Sequence, residues 1–301
     1  MYGKSVKTDS YIYRTYSIKT ELGLGGSGAV YKAWHKRLRK HVVIKVVENC
    51  EAGLIGVHRN EVEALKNIKS KYIPQVYDFL IENDKSFTII EFIEGESFDK
   101  LLKNGQSFTE SQIIKWYGQL ASALDVIHDQ NVCHRDIKPA NIILTENCDI
   151  CLIDFNSAFV SSNNTGMISR SMGYASPEQY EYFKLCRYLN HGGDNGNTDS
   201  AETALLLKDC KTGSASIADK TACTNPPGID WKLSDIYSLG ATMYHLLTGK
   251  RPPVKPEETA RISKHSGYSK EILKIIEKSM KNDPTKRYAS VEELSKELLL
   301  L

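Results

Sequence analysis

The sequence predicts an α+β protein in two parts, one of strands with a single helix and a longer one that is mainly helical. The length of 301 residues leaves room for two domains. Short runs rich in β-branched residues fill the first part and are separated by glycine-containing turns. From about residue 96, apolar residues instead recur at helical spacing.

Composition and charge exclude several classes of protein. Hydrophobic residues make up 41% and charged residues 25%, as in ordinary globular domains. The net charge of +2 is low for a protein that binds nucleic acid through phosphates, so no nucleic-acid partner is expected. Seven irregularly spaced cysteines do not form a disulfide framework, which favours a cytoplasmic location. No secretory signal and no membrane span are predicted in this chain.

The first part predicts five strands and one helix. In the helix, about residues 57–69, Glu61 falls on the same face as Val57 and Leu65. A glutamate on a buried face needs a partner of opposite charge. The strands are predicted at residues 16–23, 29–34, 41–47, 75–81 and 86–93.

The second part predicts helices with recognisable ends. Thr109 and Gln112 form a capping-box pair that opens a long helix to about Asp129. Short strands are expected at 142–144 and 150–153. Residues 236–247 predict a buried helix, ended by a glycine, and a second capping-box pair opens the last helix at Ser290 and Glu293. Residues 180–227 break the pattern and predict a long loop with one candidate helix at 201–211.

A glycine-rich string, G-x-G-x-x-G-x-V, runs from Gly23 to Val30. Glycines let a backbone approach phosphate oxygens closely. A plain hairpin turn and a dinucleotide-binding turn are the alternatives. The second requires a helix after the last glycine, whereas residues 29–34 predict a strand. The glycines are therefore expected to cover a hairpin.

Lys45 lies within the apolar strand at 41–47. A lysine there is costly to bury without a counter-charge, and Glu61 is the natural one. Such a pair would direct the ammonium at the α- and β-phosphates of a nucleotide. The alternative is a lysine at a strand edge.

The string from His134 to Asn141 is the most specific signal. Within it, Asp136 is suited to accept a hydroxyl proton, Lys138 to stabilise a phosphoryl group, and Asn141 to bind a metal. Asp154 follows another apolar strand, and a carboxylate there suits Mg²⁺. A solvated turn explains any one of these residues but not the whole string.

Together these motifs resemble those of eukaryotic-type (Hanks-type) serine/threonine protein kinases. The resemblance covers about residues 16–298 except 180–227, and the wording of residues 175–179 and 234–240 resembles bacterial members. It implies a two-lobed kinase-like fold with ATP bound between the lobes.

The two lobes implied by this resemblance are unequal. The N-lobe, residues 1–93, would hold a small antiparallel sheet, one helix and the glycine-rich loop. The C-lobe, residues 94–301, would be mainly helical and would hold the catalytic loop, the activation segment and an unusual insertion at about 180–227.

The resemblance also implies the activity, which is transfer of the γ-phosphoryl group of ATP to serine or threonine hydroxyls of protein substrates, with autophosphorylation. ATP and Mg²⁺ are the implied cofactors. The implied catalytic residues are Asp136, Lys138, Lys45 and Glu61, and the implied metal ligands are Asn141 and Asp154. The implied nucleotide-binding residues are Gly23, Gly25, Gly26, Ser27, Gly28, Val30, Lys45, Glu91 and Ile93.

Further family features are carried by single residues. Ser171 aligns with a threonine near the catalytic aspartate, and Arg287 with the arginine that pairs with Glu178. Asp235 would start a helix that braces the catalytic loop. Arg135 precedes the catalytic aspartate, which predicts that a phosphorylated residue within 161–169 pairs with it.

Three departures from the family pattern keep alternatives open. Asn156 replaces the glycine of D-F-G, Ser176 replaces the alanine of A-P-E, and the insertion is extra. One alternative is a pseudokinase-like scaffold that binds nucleotide and acts through contacts. Another is a small-molecule kinase, against which Glu178 and Arg287 argue. The insertion is expected to dock a substrate or partner, or else to be a tolerated surface segment.

Two groups of cysteines are weak candidates for metal binding. One is the single C-x-x-C pair of Cys148 and Cys151. The other shares the insertion and consists of Cys186, His191, Cys210 and Cys223.

Overall fold

The computed structural model describes residues 10–25, 28–48, 62, 65–155, 158–160, 171–190, 229–253 and 267–301. The chain divides into two compact units, Met1–Glu94 and Gly95–Leu301. The strands are β1 (Tyr16–Gly25), β2 (Gly28–His35), β3 (Lys40–Glu48), β4 (Val76–Glu82), β5 (Lys85–Glu91), β6 (Glu96–Ser97), β7 (Val132–Cys133), β8 (Ile142–Leu144), β9 (Ile150–Leu152) and β10 (Phe159–Val160). The helices are α1 (Tyr11–Thr15), α2 (Phe98–Lys103), α3 (Glu110–Asp129), α4 (Pro177–Asn190), α5 (Trp231–Thr248), α6 (Lys270–Ser279) and α7 (Val291–Leu298).

The first unit is built on a five-stranded antiparallel sheet in the order β1-β2-β3-β5-β4. All five predicted strands are present, and β5 ends two residues earlier than expected, at Glu91. Along β3, Val42, Ile44 and Val46 are buried in the core of the unit. Since side chains alternate along a strand, Lys45 points to the opposite face of the sheet from these three.

A short helix, α1, precedes the sheet and was not predicted. Five residues are too few to show a helical period. Glu82 of β4 holds the start of α1, because its carboxylate accepts from the Ser10 hydroxyl at 2.8 Å and from the Tyr11 N–H at 3.1 Å. Ile12 is fully buried in the same core as β3. Residues 10–15 are therefore packed as part of this unit.

Most of the helix predicted at 57–69 lies outside the described residues. Val62 and Leu65 are helical, and Val62 is buried. The N–H of Lys66 donates to the carbonyl of Val62, after which residues 66–67 form a turn. The helix thus ends a few residues before the predicted position.

In the second unit, α3 packs against α5 and α7, and α6 packs against α5. The capping box predicted at Thr109 and Gln112 is confirmed in both of its hydrogen bonds. The predicted buried helix is present as α5, but it begins at Trp231 with Asp230 as its N-cap, so Asp235 lies inside the helix and not at its predicted start. Gly249 ends the helix, as predicted, in the left-handed conformation at φ +68°. Helices α5 and α6 approach so closely that a Cβ on Gly240 would lie 2.6 Å from that of Ser279.

The second predicted capping box forms only in half. The Ser290 hydroxyl accepts from the backbone N–H of Glu293 at the start of α7. The Glu293 carboxylate, however, accepts from the N–H of Ala289 and from Lys278 rather than from the N–H of Ser290. The tertiary contact with Lys278 on α6 fixes the glutamate in this position.

The structure corrects the predicted start of the loop at 180. Residues 180–190 belong to α4, where Tyr182, Leu185 and Cys186 are buried with Cys133 and Trp231. The low apolar content of the whole stretch concealed this helix, because its buried face depends on partners distant in sequence. The remainder, from 191 to 228, lies outside the described residues, as does the candidate helix at 201–211. Among the described residues, none of the helices has the length and apolar character required to cross a lipid bilayer.

The burial of α4 predicts that Leu185→Ala destabilises the protein by about 2–5 kcal/mol, because it leaves a cavity in a packed cluster. Urea denaturation followed by tryptophan fluorescence measures this, since Trp231 lies in the cluster. The matched control is Lys184→Ala on the exposed side of the same helix, which should change stability by no more than about 0.5 kcal/mol. Equal stability of the two variants would show that α4 is peripheral.

Candidate active site

Three of the predicted nucleotide-binding residues, Gly23, Val30 and Lys45, lie in one row across the sheet. The register pairs Gly23 with Val30, Val30 with Lys45, and Lys45 with Thr88. Residues paired directly across antiparallel strands lie on one face of a sheet. Val30 and Lys45 are therefore neighbours on the face opposite the core.

The glycine-rich string forms a hairpin, as predicted. Gly25 pairs with Gly28 at the ends of β1 and β2. Gly26 and Ser27 lie between them, outside the described residues. Since β2 is a strand, the alternative of a dinucleotide-binding turn followed by a helix is excluded.

Three further predictions concern this unit. Glu91 ends β5, its N–H donates to the carbonyl of Gln75 at 2.9 Å, and Ile93 follows in the segment after the strand. Their predicted contact with adenine stays a prediction. Glu61 lies outside the described residues, so the predicted pair between it and Lys45 also stays a prediction.

In the second unit, the structure brings Asp136, Lys138, Asn141 and Ser171 together. The Lys138 ammonium donates to Oδ2 of Asp136 at 2.8 Å and to the Ser171 hydroxyl oxygen at 2.9 Å. That hydroxyl donates in turn to Oδ1 of Asp136 at 2.6 Å. The two charged side chains thus hold one hydroxyl group between them.

Asn141 is oriented by the same aspartate. Its amide nitrogen donates to the backbone carbonyl of Asp136 at 2.8 Å and to Oδ2 at 3.0 Å. These bonds turn the amide oxygen of Asn141 away from Asp136. The backbone carbonyl of Asn141 accepts a hydrogen bond from the N–H of Ile153 at 2.8 Å. This bond holds the segment of Asn141 beside the segment of Ile153, and Asp154 is the next residue after Ile153. One amide oxygen and one carboxylate form a donor set that fits a hard divalent cation.

The backbone of the catalytic loop is held by a carboxylate from α5. Asp235 is fully buried, and its two oxygens accept from the N–H groups of His134 and Arg135 at 2.8 Å each. Nε2–H of His128 on α3 donates to the same carboxylate at 2.9 Å. Asp235 therefore holds the backbone of this loop through direct hydrogen bonds, as predicted. They hold Arg135 at φ +60°, a strained value for a residue other than glycine.

His134 links the catalytic loop to the segment around Asp154. Its ring is buried, contacts the Phe155 ring at 4.6 Å between centroids, and lies 3.2 Å from the carbonyl of Ile153. Burial lowers the pKa of His134 below its ordinary value, although the nearby carboxylates of Asp235 and Asp136 oppose this shift. The imidazole is therefore neutral at pH 7.

The predicted pair of Arg287 with Glu178 is present. The guanidinium binds the carboxylate with two parallel bonds of 2.6 and 2.9 Å and is itself fully buried. Arg287 also donates to the backbone carbonyls of Leu233, Lys281 and Asn282. It therefore ties the start of α4 to the segments around α5 and α6.

Sequence reasoning missed the polar network around Gln179. The Gln179 amide nitrogen donates to the carbonyl of Arg135 at 2.7 Å, and its amide oxygen accepts from the Ser234 hydroxyl at 3.2 Å. Ser176, a departure from the family alanine, lies 2.8 Å from Ser234 between their hydroxyl oxygens. The two partners of each of these contacts are more than 40 positions apart in the sequence. The spacing of residues along the chain therefore could not predict the contacts.

One other cluster has the composition of a metal site. The ligand atoms of His128, Cys133 and Asp235 lie within 4.8 Å of one another. Both oxygens of Asp235 already accept from N–H groups, and burial raises the pKa of the Cys133 thiol far above its ordinary value. A neutral thiol beside an occupied carboxylate does not favour metal binding. The predicted cysteine sites at 148–151 and in the insertion stay predictions.

Comparison with known proteins gives the family. The model of the protein kinase domain matches residues 16–188. The chain belongs to the protein kinase domain family. This confirms the resemblance found in the motifs and the kinase-like fold class, with its antiparallel five-stranded sheet and its helical second unit.

Two relatives are similar to nearly the whole chain, and a third is similar to just over half of it. A "probable serine/threonine-protein kinase" of Clostridium acetobutylicum is 26% identical over 94% of this chain and 39% of its own length. The serine/threonine-protein kinase PknA of Corynebacterium glutamicum is 26% identical over 93% of this chain and 55% of its own. Calcium-dependent protein kinase 5 of Plasmodium falciparum is 32% identical over 57% of this chain and 32% of its own. The chain thus spans about half or less of the length of these relatives.

The buried His134 predicts a pH dependence of stability. Because its pKa is lowered in the folded state from an ordinary value of 6.5, the unfolded chain binds the proton more readily. Stability should therefore fall as the pH decreases through about 6.5. The variant His134→Phe keeps a ring against Phe155 but does not titrate.

The measurement is the free energy of unfolding in urea at pH 7.5 and at pH 5.5 for both proteins. The decrease should be smaller in His134→Phe than in the unmodified chain. His245, whose pKa burial also lowers, is present in both proteins and cancels in the comparison. Parallel decreases would contradict the assignment of a neutral, buried His134.

Proposed function

We propose that this chain transfers the γ-phosphoryl group of ATP to serine or threonine hydroxyls of proteins. The observation that carries the proposal is the position of the Ser171 hydroxyl between Asp136 and Lys138. The hydroxyl donates a hydrogen bond to the Asp136 carboxylate, and its oxygen accepts one from the Lys138 ammonium. The same two groups are suited to orient the hydroxyl of a substrate. The names of the bacterial relatives support a serine/threonine-specific kinase.

In this proposal Asp136 orients the attacking hydroxyl and accepts its proton as the new O–P bond forms. Lys138 neutralises charge on the transferred phosphoryl group. Lys45, on the outer face of the sheet, is suited to hold the α- and β-phosphates, with Glu61 as its proposed partner. The proposed adenine contacts are the main-chain groups of Glu91 and Ile93.

Asn141 and Asp154 are the proposed ligands of the divalent metal. Protein kinases use such a metal, and Mg²⁺ is our proposal for it, because both ligands offer hard oxygen atoms. When bound, Mg²⁺ neutralises charge on the phosphates. The hydrogen bonds from Asn141 to Asp136 fix the amide in advance, so the ligand does not have to reorganise.

The predicted regulation and the alternative functions depend in part on residues outside the described part of the chain. The predicted autophosphorylation within 161–169 and the effect of Asn156 stay predictions for this reason. Arg135, the predicted phosphate partner, is 3% exposed, with its guanidinium 5.2 Å above the Trp231 ring. No described residue favours the pseudokinase alternative. The cytoplasmic location also stays a proposal.

The first test is Asp136→Asn. The amide cannot accept the hydroxyl proton, so transfer from labelled ATP to a generic basic protein should fall about 10²–10⁴-fold. Nucleotide affinity, measured by calorimetry, should stay within a factor of about two because the proposed phosphate-binding groups are untouched. Phosphosite mapping of the unmodified chain tests autophosphorylation in the same reactions.

The matched control is Asp125→Asn, which makes the same change at an exposed position of α3 outside the site. It should transfer phosphate at the unmodified rate. Transfer by Asp136→Asn at that rate as well would refute the proposed role of Asp136.

The second test removes the metal. After treatment with EDTA the chain should lose transfer, and added Mg²⁺ should restore it. In Asp154→Asn one ligand loses its charge, so half-maximal activity should require at least about tenfold more Mg²⁺. An unchanged Mg²⁺ requirement in Asp154→Asn, with Asp125→Asn again as the control, would remove Asp154 from the metal site.

A further inference from the structure

A pocket of about 240 Å³ opens beside the proposed catalytic aspartate. Lys138 and Ser171, which both contact Asp136, form one side of it. Tyr174 and Arg251 form another side. Any group in this pocket therefore lies next to the position proposed for the acceptor hydroxyl.

The charged groups that line the pocket are not equally available. Lys138 is paired with Asp136 at 2.8 Å, and Asp99 is paired with Lys103 at 2.7 Å. Arg251 is exposed and forms no ion pair with any described residue. The charge that remains for a ligand is thus the positive charge of Arg251.

Arg251 lies beside the Tyr174 ring, which is itself anchored by a hydrogen bond. The guanidinium is 5.9 Å from the centre of that ring. The Tyr174 hydroxyl lies 2.6 Å from Nδ1 of His245 in the last turn of α5. Burial lowers the pKa of His245 and raises that of Tyr174 to about 12, so a neutral imidazole accepts and the phenol donates.

The backbone also fixes the distance between Arg251 and the catalytic residues. Gly173 adopts φ +85°, and a Cβ there would lie 2.6 Å from the carbonyl oxygen of Pro252. Residues 171–174 and 251–252 are therefore in direct contact. Met172, half exposed at the edge of the pocket, offers an apolar wall for the stem of a bound side chain.

We propose that Arg251 selects protein substrates that carry an anionic side chain, either a carboxylate or a phosphorylated residue, close to the acceptor hydroxyl. A guanidinium presents two N–H groups in the geometry that carboxylates and phosphates prefer. The contact of the guanidinium with the Tyr174 ring limits the entropy lost on binding. This inference rests on the proposed function, since it names the substrate class of the same site.

The experiment uses the full chain and peptides with one serine among neutral residues. Glutamate, phosphoserine, glutamine or lysine is placed in turn at each of the three positions on either side. At one position the KM should be about fivefold lower with glutamate or phosphoserine than with glutamine, the effect of one partly exposed ion pair. The comparison of glutamate with phosphoserine identifies the preferred anion.

In Arg251→Met the ratio between the glutamate and glutamine peptides should fall to about one, and in Arg251→Glu the lysine peptide should become the best. The matched control is Arg37→Met, an exposed arginine between β2 and β3, which should keep the original preference. A preference for lysine in the unmodified chain, no preference at all, or a preference that survives Arg251→Met would overturn the inference.

A binding measurement separates this inference from the proposed function. The same peptides, with alanine in place of the acceptor serine and a fluorescent label, are titrated with the chain. If no peptide is phosphorylated but the anionic peptides bind about fivefold more tightly through Arg251, the proposed function fails and the inference holds. If the peptides are phosphorylated without regard to charge, the inference fails and the proposed function holds.

Discussion

The buried carboxylate of Asp235 is the interaction on which the geometry of the proposed active site depends. It has no access to solvent and accepts hydrogen bonds from two successive backbone N–H groups of the catalytic loop and from His128. A carboxylate is stable in such surroundings only when its oxygens are occupied by donors. The requirement is mutual, because the two N–H groups need a buried acceptor as much as the carboxylate needs donors.

This mutual requirement holds the backbone of the proposed catalytic loop at His134 and Arg135. Helix α5 is anchored by its own packing, so Asp235 presents fixed acceptors to His134 and Arg135. The backbone then holds Arg135 at a positive φ, and Asp136 follows directly. Gln179 adds a bond to the carbonyl of Arg135 from α4. The backbone before Asp136 is thus fixed, and the two oxygens of its carboxylate accept hydrogen bonds from Lys138, Asn141 and Ser171.

The segment on the other side of the site is positioned by a second buried charge. Arg287 donates two parallel hydrogen bonds to Glu178 and three more to backbone carbonyls of two segments, at Leu233 and at Lys281 and Asn282, so all of its N–H donors are satisfied. Removing either charge would leave the other buried and unpaired, a costly state. Residues 171–174, which precede α4, place the Ser171 hydroxyl against Asp136 and the Tyr174 ring beside Arg251. Residues 171–174 therefore contribute both to the cluster of Asp136, Lys138 and Ser171 and to the neighbouring pocket, and the pair of Arg287 with Glu178 holds the segment that follows them.

Much of this protein is determined by local sequence. The strands, the capping box at Thr109 and the helix end at Gly249 depend on residues close together in the chain, so their patterns were sufficient. The family motifs, recognised as strings, singled out Asp136, Lys138 and Asn141, which the structure brings together, and predicted the pair of Glu178 with Arg287, which it contains. The tertiary structure decided what depends on distant partners. The sequence pattern did not predict residues 180–190 of helix α4, because the buried face of this part packs against Cys133 and Trp231, which are distant in the sequence. The hydrogen bonds of Gln179 and the contact of Arg251 with the Tyr174 ring likewise form only after folding. The spacing of these residues along the chain does not indicate which side chains will be in contact.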